Sequence, residues 1–275
     1  MTLNTRNKLL LFFSVFSSLC TLIFITALIR ILIQNPEKAD FLSDIPAVRS
    51  FWYIPIISNY PAVFLSRLFL SLFVPVVGFA IYFNFEKTQS LEVLFFSAFL
   101  LGFLGETFKL CIPLFGLTAG YSTFLRFIGQ ASFFGEMEVL LAIIILAIVA
   151  SGSENREADK YLDLIIVTAL IFSTIIPLNT SHIKDYMHIE FGLKPLLAAI
   201  RIIFGITAFA ALFFSAQSSE SSNYKNASFN FLFICIGYIL LLECLNFAFL
   251  VIGGILLSTG TLRFLKNMHC YYMWK

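Results

Sequence analysis

Charge is scarce in this chain: Asp, Glu, Lys and Arg together make up 12% of its 275 residues, against roughly a quarter in ordinary soluble domains. That shortage excludes a water-soluble globular fold. Histidine is scarcer still, with His182 and His188 in one loop and His269 near the C-terminus. A two-histidine metal site would have only the loop pair to draw on, and an exposed polar loop accounts for both. The five cysteines, Cys20, Cys111, Cys235, Cys244 and Cys270, show no Cys-x-x-Cys spacing, so they read as small hydrophobes rather than as a disulfide framework or metal ligands. No cofactor and no metal is expected. A net charge of +2 without a basic block excludes nucleic acid as a partner. No connection is long enough to bury a core of its own, the longest being 34–61, so no soluble catalytic or output domain is expected.

Apolar residues are what the chain has in abundance. Hydrophobic residues make up 59% of it, with 34 phenylalanines. They gather in seven runs, 9–33, 62–83, 91–111, 131–150, 161–178, 196–216 and 229–257, each near or above the ~20 residues that cross a ~30 Å hydrocarbon core. An unclosed sheet cannot satisfy its backbone in lipid. The fold class expected is therefore all-α, a polytopic membrane protein of seven transmembrane helices forming a single transmembrane domain over 1–275, with the lipid bilayer as its first partner. Arg6 and Lys8 precede the first run as in a signal peptide, but no small-x-small cleavage site follows, so it reads as a retained helix.

Let side X be the face where the second, fourth and sixth runs begin, and side Y the opposite face. Seven spans put the N-terminus on Y and the C-terminus on X. Most Lys and Arg residues then fall on X, among them Lys184, Lys194, Arg263 and Lys266. The positive-inside rule makes X cytoplasmic and the N-terminus external in a cell (inner) membrane. Trp52, Tyr53, Tyr60, Tyr271, Tyr272 and Trp274 also fall on X, as interfacial anchors would.

The charged residues inside the runs fall mostly in one layer. Arg67 and Arg201 lie about six residues into their runs from X and Glu136 about five, which at 1.5 Å per residue is roughly 8–9 Å deep. Glu106 and Glu243 approach the same layer from Y. Arg67 shares a helical stripe with Ser71, Pro75 and Gly78, Glu106 with Ala98 and Gly102, Arg201 with Gly205 and Ala208, and Glu243 with Asn246 and Gly253. Stripes of small and polar residues pack helix on helix in membranes, so the layer points into the bundle. The expected pairs are Arg67 with Glu106, and Arg201 with Glu243 or Glu136. Glu138, about 200° round the helix from Glu136, is expected near the X interface, and Lys109, Arg30 and Arg126 are expected to snorkel there. Glu92 and Asp163 begin their helices, where the dipole accounts for them.

An internal repeat is also expected. Pro61 is followed six residues later by Arg67, and Pro195 six later by Arg201. Glu106 with Lys109 corresponds to Glu243 with Asn246, and Thr26-Ala27-Leu28-Ile29 to Thr168-Ala169-Leu170-Ile171. The repeat halves are 9–111 and 161–257, with 131–150 as linker helix. This plan resembles, in architecture alone, the 3+1+3 arrangement of sugar-facilitator-type transporters. No motif of that family is matched, so no residue role follows from it.

Three functions are weighed. In a small-solute transporter or membrane-embedded ligand-binding protein, Arg67, Glu106, Glu136, Arg201, Glu243 and Asn246 line a cavity for a small polar or anionic ligand. In a non-catalytic membrane subunit or sensor the same residues are structural ion pairs, and the loops or the aromatic-basic tail 263–275 dock a protein partner or a second copy. The third is an intramembrane hydrolase. Gly105-Glu106-Thr107-Phe108-Lys109 with Glu136 and Glu138 faintly resembles glutamate-dependent membrane proteases, but those pair glutamate with intramembrane histidine, and no histidine lies in a run. No Gly-x-Ser-x-Gly, His-Glu-x-x-His or paired-aspartate motif is present either, so no catalytic residue is assigned.

Overall fold

The computed structural model describes residues 3–34, 59–85, 90–117, 119–150, 158–184, 187–218 and 221–273. Its long helices are α1 (Leu3–Gln34), α2 (Tyr60–Phe85), α3 (Leu91–Thr107), α4 (Ser122–Ala150), α5 (Ala158–Ile175), α6 (Lys194–Ser218), α7 (Ser222–Leu242) and α8 (Phe247–Met273). Helix α3 continues through a 3₁₀ turn, Phe108–Leu110, into a further helical turn, Cys111–Leu114. Seven of the long helices are long and apolar enough to cross a membrane, and the chain is a multi-pass helical membrane protein. The expected run 161–178 is not among them: α5 has 18 residues and carries Asp159, Lys160 and Asp163 in its first turns.

The seventh helix of that length and apolarity comes instead from the run 229–257, which is two helices. Glu243 closes α7 by donating its backbone N–H to the Ile239 carbonyl at 3.0 Å, and the Asn246 Oδ1 then accepts from the Phe249 N–H at 2.9 Å. That Asn246 contact is an N-cap, the device that opens a helix whose first donors lack partners. Helices α7 and α8 therefore form a hairpin. The region 161–257 holds more helices than 9–111 does, so the element-for-element match expected of two three-helix units is not met. A small antiparallel hairpin, β1 (Leu178–Lys184) with β2 (His188–Phe191), adds the one departure from all-helical structure among the described residues.

The hairpin break also changes where the chain finishes. At one end of the bundle Arg6 of α1 donates from Nη2 to the Phe85 carbonyl at 2.5 Å, and the Phe85 ring meets the His269 ring at 5.5 Å. At the same end Glu92 of α3 accepts from Tyr224 at 3.0 Å and from Tyr272 at 2.5 Å. The start of α1 and the close of α8 thus share the face called Y, because α5 makes an eighth passage. Its start lies with Thr5 of α1 and Leu94 of α3, while Ile176 past its end packs in one cluster with Leu197 of α6. The expectation of termini on opposite sides is overturned. Arg263, Lys266, Tyr271 and Tyr272 leave side X with them. Two of the basic residues counted toward side X therefore lie toward the other end.

In lipid, apolar contact gives helices little reason to associate, so close backbone approach at small residues decides the packing. A Cβ on Gly102 of α3 would lie 2.5 Å from the Gly135 carbonyl oxygen of α4, and one on Gly105 would lie 2.6 Å from that of Ala131. Gly237 of α7 stands likewise against Leu257 of α8. Between these pairs the aromatic core fills in: the Tyr238 ring stacks on Phe103 at 4.7 Å and 7°, with Phe99 edge-on to both. Pro75 inside α2 cannot donate to the carbonyl four residues back. That carbonyl, of Ser71, accepts instead from the Thr21 hydroxyl of α1 at 2.5 Å.

Candidate functional site

Five of the six candidate residues meet in one cluster, together with Lys109. Arg67 comes from the second turn of α2, Glu106 and Lys109 from the end of α3, Glu136 from the middle of α4, Arg201 from the second turn of α6 and Glu243 from the α7–α8 turn. Depth along the helices set this convergence up, because antiparallel neighbours bring residues near the start of one span level with residues near the end of the next.

The first half of the cluster is sealed. Glu106 has no exposed surface; its Oε2 faces Lys109 Nζ at 2.8 Å and Arg67 Nη1 at 3.5 Å. Its Oε1 accepts from the Ser132 hydroxyl of α4 at 2.7 Å. Both oxygens are engaged, unlike those of a carboxylate placed to activate water. Lys109 does not snorkel to the interface: it is buried, and its ammonium also lies 5.4 Å from the centre of the Phe191 ring. Arg67 spends its remaining donors on the last carbonyls of α7, Leu241 at 3.3 Å and Leu242 at 2.7 Å. The last carbonyls of a helix lack intrahelical donors and lipid offers none; besides Arg67, Leu241 has a Cys244 N–H at 3.4 Å.

The second half faces outward. Arg201 donates from Nε to Glu136 Oε1 at 2.9 Å, from Nη2 to the same oxygen, and from Nη1 to Glu243 Oε1 at 2.9 Å. Glu136 and Arg201 are buried, but the Glu243 side chain is 37% exposed. Arg201 and Glu243 line a cleft of about 360 Å³ between α6 and α7, whose other walls are Pro195, Ala198, Ile202 and Ile239.

Three cations and three carboxylates make the cluster formally neutral. Arg67, Lys109 and Glu106 carry one positive charge in excess, and Arg201, Glu136 and Glu243 one negative. Tyr238 lies within electrostatic reach of both halves, and its buried hydroxyl has no hydrogen-bond partner among the described residues. Neutrality matters because an uncompensated charge in the membrane interior costs several kcal/mol, roughly 2.5–3.5 on insertion scales.

Three further placements differ from expectation. Asn246 does not join the cluster; it caps α8. Glu138 is not at the X interface: it lies buried among α1, α3 and α5, lining a cavity with Leu94 and Asp163. Glu92, assigned only to the helix dipole, holds Tyr224 and Tyr272 to the start of α3. Arg30 and Arg126 are exposed. The side chains of His182 and His188 lie outside the described residues, as do Trp52, Tyr53 and Trp274 altogether. Among the described residues no group of three His, Cys, Asp or Glu is placed to hold a metal ion. No known protein family, characterised protein or solved structure matches the chain.

Proposed function

We propose that the chain binds or carries a small anionic or hydroxyl-rich solute within a cell membrane, with Arg201 as the contact and Glu243 as the group the solute displaces. The observation that carries this reading is the unequal exposure of the two carboxylates on Arg201. Glu136 is buried and fixes the guanidinium, while Glu243 sits on the rim of the 360 Å³ cleft with 37% of its side chain exposed. A carboxylate or phosphate entering the cleft replaces one charge-assisted pair with another, so Arg201 never loses its compensation. Arg67, Glu106 and Lys109 are the fixed support behind it.

The test is binding and uptake in proteoliposomes with radiolabelled lactate, inorganic phosphate and glucose. At least one should be taken up saturably, and Arg201→Gln should weaken it by about tenfold or more while the protein still elutes as a folded species. Uptake of none of them, or full uptake by Arg201→Gln, defeats the proposal. The complete pairing of the sealed half supports a second reading, a non-catalytic subunit or sensor whose charge cluster holds helices in register. A partner or second copy recovered stoichiometrically after mild solubilisation, with no solute uptake, selects it.

A further inference from the structure

Glu138 is the other buried carboxylate of α4, and its surroundings are unlike those of Glu136. It is 6% exposed, and no hydrogen bond or ion pair joins it to any described residue. It lines a half-open cavity of about 430 Å³ between α1, α3, α4 and α5. Leu9, Phe13, Leu94, Leu101, Leu162 and Ile166 make most of the wall. The polar groups are few: Glu138 at depth, Asp163 exposed at the rim, and the hydroxyls of Thr5 and Ser97. Ser97 is engaged with the Leu94 carbonyl at 2.6 Å. Among the described residues no Lys or Arg lines the cavity.

A buried carboxylate in a membrane span needs a counter-charge, a water-filled space or protonation. The apolar wall is a poor host for water, which needs two to four polar partners. Protonation alone accounts for the carboxyl but not for the space beside it. The volume falls within the ~300–1,000 Å³ of small-molecule sites, which combine apolar walls with one or two placed polar groups. We propose that this cavity is a binding site for an amphiphile bearing an alkylammonium group, the ammonium pairing with Glu138 and the apolar body filling the space toward α1 and α5. Asp163 at the mouth gives entry the same charge preference. The site is separate from the Arg201 cleft and has the opposite ligand charge.

The probe is spin-labelled dodecylamine, added to the full-length protein in phosphatidylcholine nanodiscs, with the immobilised fraction as readout. Unlabelled dodecylamine should compete saturably, and dodecanol and dodecanoic acid should compete at least about tenfold more weakly. Glu138→Gln should lower amine affinity by about tenfold or more, and Leu162→Trp, which fills the mouth, should do the same if Glu138→Gln does not fold. Arg201→Gln should leave amine binding unchanged, which separates this site from the anion cleft. Displacement by added phosphatidylethanolamine identifies a lipid headgroup as the source of the ammonium; its absence identifies a free lipophilic amine. Equal competition by amine, alcohol and acid, no immobilised fraction, or unchanged affinity in both variants overturns the proposal.

Discussion

Arg67 donates from Nη2 to the carbonyl oxygen of Leu242, 2.7 Å away and 175 positions along the chain. The same guanidinium reaches Leu241 and the Glu106 carboxylate, so one side chain joins α2, α3 and the end of α7. Arg67→Ala removes a donor from the Leu242 carbonyl, leaves the Leu241 carbonyl with the Cys244 N–H at 3.4 Å, and leaves Glu106 with Lys109 as its remaining cation. The expected loss is about 3–5 kcal/mol, the cost of breaking a buried pair by removing one partner. Arg67→Lys should fall between, because one ammonium cannot serve two carbonyls and a carboxylate in forked geometry. Thermal unfolding in mild detergent, followed by circular dichroism, measures both. A loss under about 1 kcal/mol for Arg67→Ala would show that the triple contact holds nothing together.

The layer itself was legible in the sequence because depth is linear in residue number and the hydrophobic runs fix the zero. Arg67, Glu106, Glu136 and Arg201 needed no more than that. The α7–α8 turn was not legible, since Cys244 and Leu245 keep hydropathy high through it and the capping role of Asn246 depends on backbone geometry. Missing that turn put Tyr272 on the wrong face and hid its bond to Glu92. Lys109 was misplaced for a different reason. Its length allows either snorkelling or an i,i−3 pair with Glu106, and only the neighbouring Arg67 and Ser132 decide between them. Glu138 was given the right angle from Glu136, but which helix stood on that side could not be read from one chain's periodicity.

Thr21 and Pro75 make a compensating pair across α1 and α2. The Thr21 hydroxyl has one proton, and it lies nearer the Ser71 carbonyl, at 2.5 Å, than its own Ser17 carbonyl, at 2.9 Å. Thr21→Val should therefore cost about 1 kcal/mol, in the range of interhelical hydrogen bonds in membranes. In a Pro75→Ala background an amide N–H is restored to the Ser71 carbonyl, and Thr21→Val should cost close to nothing. A double-mutant cycle on unfolding free energy reads the difference. Additive losses would mean that the hydroxyl does not replace the missing helical bond.

Gly135 carries the α3–α4 contact. A Cβ there would meet the Gly102 carbonyl oxygen below any real contact distance and lie 2.8 Å from Gly105 Cα. Backbone atoms cannot swing aside as a side chain does, so Gly135→Ala must part the helices and lengthen the nearby Ser132–Glu106 bond. A loss of about 3 kcal/mol is expected, at the upper end of overpacking costs. Gly116 is the control. It has φ of +60° and nothing within 4 Å of its would-be Cβ, so Gly116→Ala should cost only the backbone strain, about 1 kcal/mol. Unfolding of the two variants side by side tests the ranking, and a reversed order would mean that the helices are free to separate.

Glu136 and Glu138 lie two positions apart on α4 and should respond oppositely to the same change. Glu136→Leu strips Arg201 of its buried partner and leaves it only Glu243, whose side chain is 37% exposed, so a loss of about 3–5 kcal/mol is expected. Glu138→Leu removes a carboxyl that no described residue engages and adds apolar surface to a cavity of about 430 Å³. It should be neutral or stabilise the empty protein by about 1–3 kcal/mol, the range for an unsatisfied buried polar group. A position whose natural residue is worse for the fold than leucine is retained for something other than the fold. If instead both variants unfold at similarly reduced temperatures, Glu138 is a structural partner of the bundle, and the cavity beside it needs a different account.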